Sequence, residues 1–292
     1  MRSKSKYVPY LFLIGPLILY LVWVIGPMIY TFYLSLTKWD GLTAPVFTGL
    51  SNYERLFRDP VFYTSLQNNL KWIVSFITVP VVLGLGLAMI LNRQVPGAKI
   101  FKASFYSPLV LSLVVCGLIW SWMYHPADGL INSVLRRITG NMELKIGWLS
   151  DTDLVMWSII IVAVWRQAGY VMVLYLAGLQ GIDPQLIDAS KVDGASGIQT
   201  FRHVILPLLA PVTVIVVVIS IIDSLRAFDL VSVMTRGGPY NSSSVLANFM
   251  YIEAFNNYKM GYSAAISVIL FLISAVFIFI YLWNIMQDEM EY

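Results

Sequence analysis

Charge is what this chain lacks most. Asp, Glu, Lys and Arg make up 12% of its 292 residues, about half the share found in a soluble domain. With 58% hydrophobic and 14% aromatic residues and a mean hydropathy of +0.74, it reads as an all-α integral membrane protein. A single cysteine, Cys116, excludes an intrachain disulfide. The two histidines, His125 and His203, fall in different segments and form no ligand cluster with it, so no metal is expected. No Gly-Lys pair occurs anywhere. The phosphate-cradling loop of an ATPase is therefore missing, and any nucleotide chemistry belongs to another polypeptide. Acids, histidines and nucleophiles are scattered, which argues against catalysis on this chain. The net charge of +3 is spread over loops and gives no basic stripe for nucleic acid. The first apolar run greatly exceeds the roughly 7–15 residues of a signal core and reads as a true span rather than a cleaved leader.

What is present is a series of six apolar runs, each long enough for a bilayer that demands about 20 residues. The first, 7–37, follows Arg2, Lys4 and Lys6 and carries Pro9, Pro16 and Pro27, which are expected to bend it. The others are 72–92, 103–124 with Pro108 near its start, 154–176, 208–228 and 261–286. Segments 38–71, 125–153 and 229–261 read as loops on one side. A basic hairpin at 93–102 and a polar stretch at 183–207 lie on the other. Six spans put both termini on one side, ahead of an acidic tail of Asp288, Glu289 and Glu291. The basic N-terminus and Arg93, Lys99 and Lys102 of the hairpin place that side in the cytoplasm.

Three charges fall inside spans, where they are expensive. Arg166 lies about 18 Å along its helix at 1.5 Å per residue, deep enough to demand a partner or a wet cavity, and is read as facing a translocation route. Asp223 and Arg226 are three apart on one helix, so mutual neutralisation competes with a role in transport. Trp120, Trp122, Trp165 and Tyr170 offer rings on which a sugar can stack, though interfacial Trp and Tyr are common in any membrane protein. An ion-coupled secondary transporter would also keep such charges.

The 183–207 stretch is too polar for lipid and carries its own punctuation. Asp183 suits an N-cap, Pro184 the first helical position and Gly194 a helix stop. A second short helix is expected from Ser196 to a stop at Pro207. Two short helices between spans suit a docking site for a soluble partner, with a plain amphipathic connector as the alternative. Gly194 permits a sharp turn or a close backbone approach. Asp188, placed in the first turn, suits the helix dipole and a basic group on a partner.

This stretch resembles the cytoplasmic signature of binding-protein-dependent ABC transporter permeases: Glu-Ala-Ala, three residues, Gly, nine residues, Ile-x-Leu-Pro. Here it reads Asp188-Ala189-Ser190, then Gly194, then Val204-x-Leu206-Pro207, with Asp for Glu, Ser for the second Ala and Val for Ile. Further motifs are similar to the carbohydrate-type permeases, in particular the first permease subunit of the maltose and glycerol-3-phosphate importer group. They are Leu176-Ala177-Gly178-Leu179-Gln180, Phe228-Asp229, Thr235-x-Gly237-Gly238-Pro239, Ala254-Phe255 and Gly261-Tyr262-Ser263-Ala264-Ala265.

The resemblance implies a type I importer (MetI-like) transmembrane domain at 66–282, an accessory first helix and outer loop at 1–65 and a short cytoplasmic tail at 283–292. It implies a multi-pass permease subunit, not an enzyme, in the plasma (inner) membrane of a prokaryote. A second, homologous permease subunit would pair with it. Two copies of an ATPase subunit would bind ATP and Mg, and an extracytoplasmic solute-binding protein would deliver cargo. The ATPase-coupling set would be Asp188, Ala189, Ser190, Asp193, Gly194, Val204, Leu206 and Pro207. Gly237, Gly238 and Pro239 would face the binding protein. Arg166, Tyr170, Trp165, Trp120, Asp223 and Arg226 are the candidates for the substrate pathway. A neutral sugar or oligosaccharide is the expected cargo, with glycerol-3-phosphate or another polar solute as the alternative.

Overall fold

The computed structural model describes residues 8–93 and 96–290. Arg2, Lys4, Lys6 and Glu291, named above for the topology, lie outside the described residues. Among the described residues, four helices are long and apolar enough to cross a membrane, and the number of spans is six if each of two bent helix pairs counts as one. The chain divides into two compact units, residues 1–62 with 249–273 and residues 63–248 with 274–292.

In the first unit, α1 (Val8–Tyr20) and α2 (Gly26–Ser35) flank a π-helical turn at Leu21–Ile25, giving a candidate span over Phe12–Ser35. The Gly26 N–H reaches back to the Leu21 carbonyl, one residue further than an α-helical bond. That extra residue takes up the register change just before Pro27. A two-stranded antiparallel hairpin follows, β1 (Thr37–Lys38) paired with β2 (Val46–Phe47). In its turn the Asp40 carboxylate accepts the backbone N–H groups of Thr43 and Leu42 and the Thr43 hydroxyl, which holds its pKa down at about 2. Then comes α3 (Ser51–Leu56).

The expected loops 38–71 and 229–261 are not independent connectors. Arg55 stacks over the Tyr262 ring at 4.2 Å and pairs with Glu253, which also meets Lys259 at 3.2 Å. The Tyr262 hydroxyl bonds Asp59 at 2.8 Å.

The helix of the second span, α4 (Pro60–Asn92), begins twelve residues before the predicted Trp72. The Asp59 side chain accepts the Val61 N–H at 2.9 Å, and Pro60 fits the first position, so the start is capped despite its polar sequence. Next, α5 (Ala98–Val110) begins five residues before the predicted Ala103, so Lys99 and Lys102 ride on helix rather than hairpin. It meets α6 (Leu113–Met123) at a 102° bend. Pro108 cannot donate to the Ser104 carbonyl, and the Ser107 hydroxyl does so instead at 2.9 Å. Leu111 then turns extended and Ser112 caps the new helix through the Val115 N–H.

The predicted loop after α6 contains a helix, α7 (Leu130–Thr139). The buried helix of the second unit is α8 (Val155–Gln180). Its first half packs with Trp72, Phe76, Cys116, Tyr124, Leu230 and Val231, and its second half with Ala88, Leu91, Leu209 and Val216. At Gly169 it passes so close to α5 that any side chain would strike the Phe105 carbonyl.

Two short helices follow, α9 (Pro184–Val192) and α10 (Gly197–Thr200). A π turn at Phe201–Ile205 continues α10 into α11 (Leu206–Leu208), which meets α12 (Ala210–Leu225) at a 66° bend. The predicted stop at Pro207 is corrected: the helix runs through it and breaks at Leu209. The Leu206 N–H bonds the Phe201 carbonyl in the wider π pattern immediately before Pro207, which accommodates its missing donor. Pro211 removes the next donor four residues on, and there the ladder does break.

The chain ends with α13 (Asp229–Met234), α14 (Leu246–Tyr251), a π turn at Ile252–Asn256 and α15 (Met260–Met290). The helix continues past the predicted end at Met286 into the acidic tail.

Candidate functional site

Three parts of the second unit carry the predicted site residues. The first is the hairpin built from α9 to α11. Asp183 is extended and accepts the Gln185 N–H at 2.9 Å, as an N-cap should. At the other end Gly194 has φ +81. Its N–H bonds the Lys191 carbonyl at 3.0 Å and the Ala195 N–H bonds that of Ser190 at 2.9 Å, the paired bonds of a Schellman stop. Ser196 then opens α10 with a capping box: Gln199 donates its N–H to the Ser196 hydroxyl and accepts the Ser196 N–H in return. The buried Ser190 and Thr200 hydroxyls meet at 3.0 Å and tie the two helices together.

Of the coupling candidates, Asp188, Ala189, Asp193, Gly194, Leu206 and Pro207 are exposed, Val204 is half-buried and Ser190 is buried. Two expectations change. Asp188 stands in the second turn, clear of the N-terminal dipole, and pairs with Lys191 at 2.8 Å on the surface. Gly194 meets nothing within 4 Å, so within this chain it serves the left-handed turn and not a close approach. Leu186, Val192 and Ile198 are 48%, 88% and 79% exposed, an apolar surface the sequence reading passed over.

The second part is a cavity of about 310 Å³. Arg166, Gln167, Asp223, Arg226 and Asp229 line it together with the rings of Trp72, Phe76 and Phe228. Arg166 donates to the Leu109 carbonyl at 3.3 Å. The bend after α5 leaves that carbonyl without its helical donor, and a cation suits a helix C-terminus. The Arg166 Nε is buried with no hydrogen-bond partner. Gln167, itself buried, donates to Asp223 at 3.3 Å. No salt bridge within 4 Å joins Asp223 and Arg226 among the described residues.

The aromatic candidates separate from this group. Trp120 and Trp165 pack edge to face at 5.5 Å, Trp165 borders a different, apolar pocket, and Trp122 is 74% exposed. Tyr170 is half-buried and lines neither space. Sequence reasoning missed Gln167, Trp72 and Phe76. Gln167 had one available signal, a second polar side chain beside Arg166 in an apolar run.

The third part is the loop after α13. Gly237 has φ +85 and is buried, Gly238 and Pro239 are half-buried, and the Gly238–Pro239 bond is cis. What projects is Tyr240, 95% exposed, beside the exposed Arg236. Of the predicted contact residues, Gly238 and Pro239 are thus partly accessible beside the exposed Tyr240. Asn68 of α4 holds the loop by donating to the Ser242 and Ser244 carbonyls at 2.7 and 2.8 Å, and Asn69 accepts the Leu246 N–H at 2.8 Å. Ser243 bridges the Thr235 hydroxyl and the Gly238 carbonyl. No group of three or more His, Cys, Asp or Glu able to hold a metal occurs among the described residues.

Residues 71–285 match the family described as "Binding-protein-dependent transport system inner membrane component". The chain is 39% identical over 290 residues to a probable ABC transporter permease protein of Pyrococcus horikoshii, covering 98% of this chain and 99% of that protein. It is 33% identical over 296 residues to AmyD of Thermoanaerobacterium thermosulfurigenes, a probable starch degradation products transport system permease protein, with full coverage of both. Among solved structures, a bacterial ABC transporter that imports the acidic polysaccharide alginate superposes with a TM-score of 0.81 at 21% identity, over 98% of this chain and 96% of that one.

Proposed function

The chain belongs to the binding-protein-dependent transport system inner membrane components and is a multi-pass permease subunit of an ABC importer; we propose that it imports a neutral sugar or oligosaccharide and is driven by ATPase subunits that grip the 183–207 hairpin. The single observation that carries the coupling role is the self-capped, exposed α9–α11 hairpin, which ends at the bend into α12. Both ends of α9 and the start of α10 are closed by the hairpin's own residues, which supports a rigid handle. Its exposed Leu186, Val192 and Ile198 offer apolar area to a groove, and Asp188, Ala189, Asp193 and Gly194 form the adjoining surface. Displacement of such a handle is passed on at Leu209, beside α12, which carries Asp223 and Arg226 to the cavity.

Support for a sugar cargo comes from AmyD and from the trehalose/maltose permease MalF of Thermococcus litoralis, 31% identical over 291 residues. The cavity suits a polyhydroxylated solute, since it sets hydrogen-bonding Arg166, Gln167 and Asp223 beside the rings of Trp72 and Phe76. Within this reading, 66–282 is the permease core, 1–65 an accessory helix and outer loop, and 283–292 a tail. Both termini and the hairpin are cytoplasmic, which the cations Arg93, Lys99 and Lys102 support. A second homologous permease completes the pathway, ATP and Mg belong to two ATPase copies, and Tyr240 and Arg236 meet the solute-binding protein.

Reconstitution tests the reading. The chain with its companion permease, ATPase and binding protein is expected to show ATP hydrolysis and uptake stimulated by neutral oligosaccharides. The chain alone is expected to show none. Ion-dependent uptake by the chain alone would overturn the coupling role, and stimulation only by anionic solutes would overturn the cargo.

A further inference from the structure

Helix α7 carries opposite chemistry on its two sides. At about 100° per residue, Leu130, Val134 and Ile138 fall along one side of the helix with Arg137 among them. The three aliphatic residues are 55%, 45% and 76% exposed. The polar side chains are engaged elsewhere. Asn132 is buried, donates to the Pro126 and Ile146 carbonyls at 3.0 and 2.9 Å and accepts the Trp148 indole N–H at 3.0 Å. Arg136 donates to the Ala127 carbonyl at 2.6 Å. The helix is therefore fastened to its own loop by polar groups while an aliphatic stripe points away, an arrangement that water disfavours. Arg137, exposed at the edge of the stripe, makes no hydrogen bond or ion pair among the described residues.

Three observations select lipid as what covers this stripe. The tethers of α7 lead back to α6 at Met123, which with α5 forms a bent membrane segment, and to the candidate span α8 at Val155, and α7 packs against α6. Extended, the connection from Tyr124 to Gly129 reaches roughly 20 Å at most, so α7 cannot leave the vicinity of the bilayer surface. Exposed apolar residues bracket the stripe, Trp122 in the last turn of α6 and Met142 just beyond α7, at 74% and 71%, and Trp favours the membrane interface. The charge within the stripe is a cation, the sign that anionic headgroups attract, on a side chain long enough to reach them.

We propose that α7 is a monotopic membrane anchor. It lies in the plane of the headgroup–acyl boundary with Leu130, Val134 and Ile138 inserted and Arg137 among anionic headgroups. Anchored this way, the loop between α6 and α8 keeps its level in the membrane while the spans rearrange.

The test uses the full-length permease in its assembled transporter, in vesicles of phosphatidylethanolamine and phosphatidylglycerol. Nitroxides are placed on Val134→Cys, Ile138→Cys and, as a water-facing control, Thr139→Cys; Cys116 is buried and stays unlabelled. Collision with oxygen is expected to exceed collision with a water-soluble nickel chelate at 134 and 138, at a depth of about 5–10 Å, and the reverse at 139. Nickel collisions exceeding oxygen at 134 and 138 would overturn the anchor, as would exclusion of both reagents, which would mean a protein partner covers the stripe. Adding Arg137→Glu is expected to move both labels toward water in these vesicles but not in phosphatidylcholine. An equal shift in both lipids, or none in either, would overturn the attraction of Arg137 to anionic headgroups.

Discussion

The hairpin at 183–208 and the cavity around Arg166 are built in opposite ways. Within the hairpin the tie between α9 and α10 joins Ser190 and Thr200, ten residues apart, and its caps and stops span five or fewer. In the cavity, Arg166 reaches a carbonyl 57 residues away and Gln167 a carboxylate 56 residues away. A piece closed on itself can be pushed without losing its shape. A site assembled from α5, α8 and α12 changes its geometry whenever one of those helices moves. On the proposed reading, that difference divides the labour of an importer: the hairpin would receive a mechanical input and the cavity would respond to it. Two bends adjoin these parts, at Leu209 next to the hairpin and at Leu111–Ser112 next to the carbonyl that Arg166 holds, and on that reading the motion would be converted there.

The largest expected effect comes from breaking the rigid piece. Gly194→Pro puts a residue fixed near φ −65° at a position with φ +81 and deletes the N–H that closes α9. Uptake should be abolished while the protein stays assembled in the membrane, as followed by transport in vesicles and co-purification of the ATPase. Normal uptake by this variant would remove the hairpin from the coupling route. Next in size is Arg166→Leu, which leaves the Leu109 carbonyl without its cationic donor and strips the cavity of a charge. Loss of a charge-assisted bond is worth about 2 kcal/mol, roughly 30-fold in rate if it acts on transport. Uptake unchanged in a folded, inserted Arg166→Leu protein would show that the cavity is a structural feature alone.

The same contrast explains what the sequence revealed. The hairpin was legible because its caps, Asp183, Gly194 and Ser196, act on backbone a few residues away, so residue type and spacing carry the information. The stop expected at Pro207 does not form because a π turn absorbs the missing donor, and nothing in the residue types announces a π turn. Asp188 was placed one turn too early by the same limit on helix boundaries. Arg166, Asp223 and Arg226 stood out as charges in apolar runs. That they share a cavity with Gln167, Trp72 and Phe76 depends on how α4, α8 and α12 pack, which no local pattern encodes. Asn68 and Asn69 were passed over as polar loop residues because α4 starts at Pro60, and only the packed structure shows them holding a loop more than 170 residues away.

That loop sharpens the comparison, since it is assembled at long range yet held rigid. Asn68→Ala removes both amide bonds to the Ser242 and Ser244 carbonyls and should cost about 1–3 kcal/mol locally. The expected result is faster proteolysis at Arg236 and weaker association of the binding protein, with the hairpin unaffected. Protease resistance equal to that of the parent would mean that the serine contacts suffice without Asn68.

The smallest effect is expected inside the hairpin itself. Ser196→Ala deletes the hydroxyl that caps α10 and half of its box with Gln199, a change of about 1 kcal/mol. The Ser190–Thr200 contact and the Schellman stop at Gly194 remain, and they independently fix the angle between α9 and α10. Uptake should therefore fall by a few-fold at most, even though the residue lies only two positions from Gly194. If Ser196→Ala abolished transport as completely as Gly194→Pro, the hairpin would not be a redundantly closed unit. Its rigidity would then depend on a single cap, and the division between a locally built lever and a globally built cavity would fail at its first term.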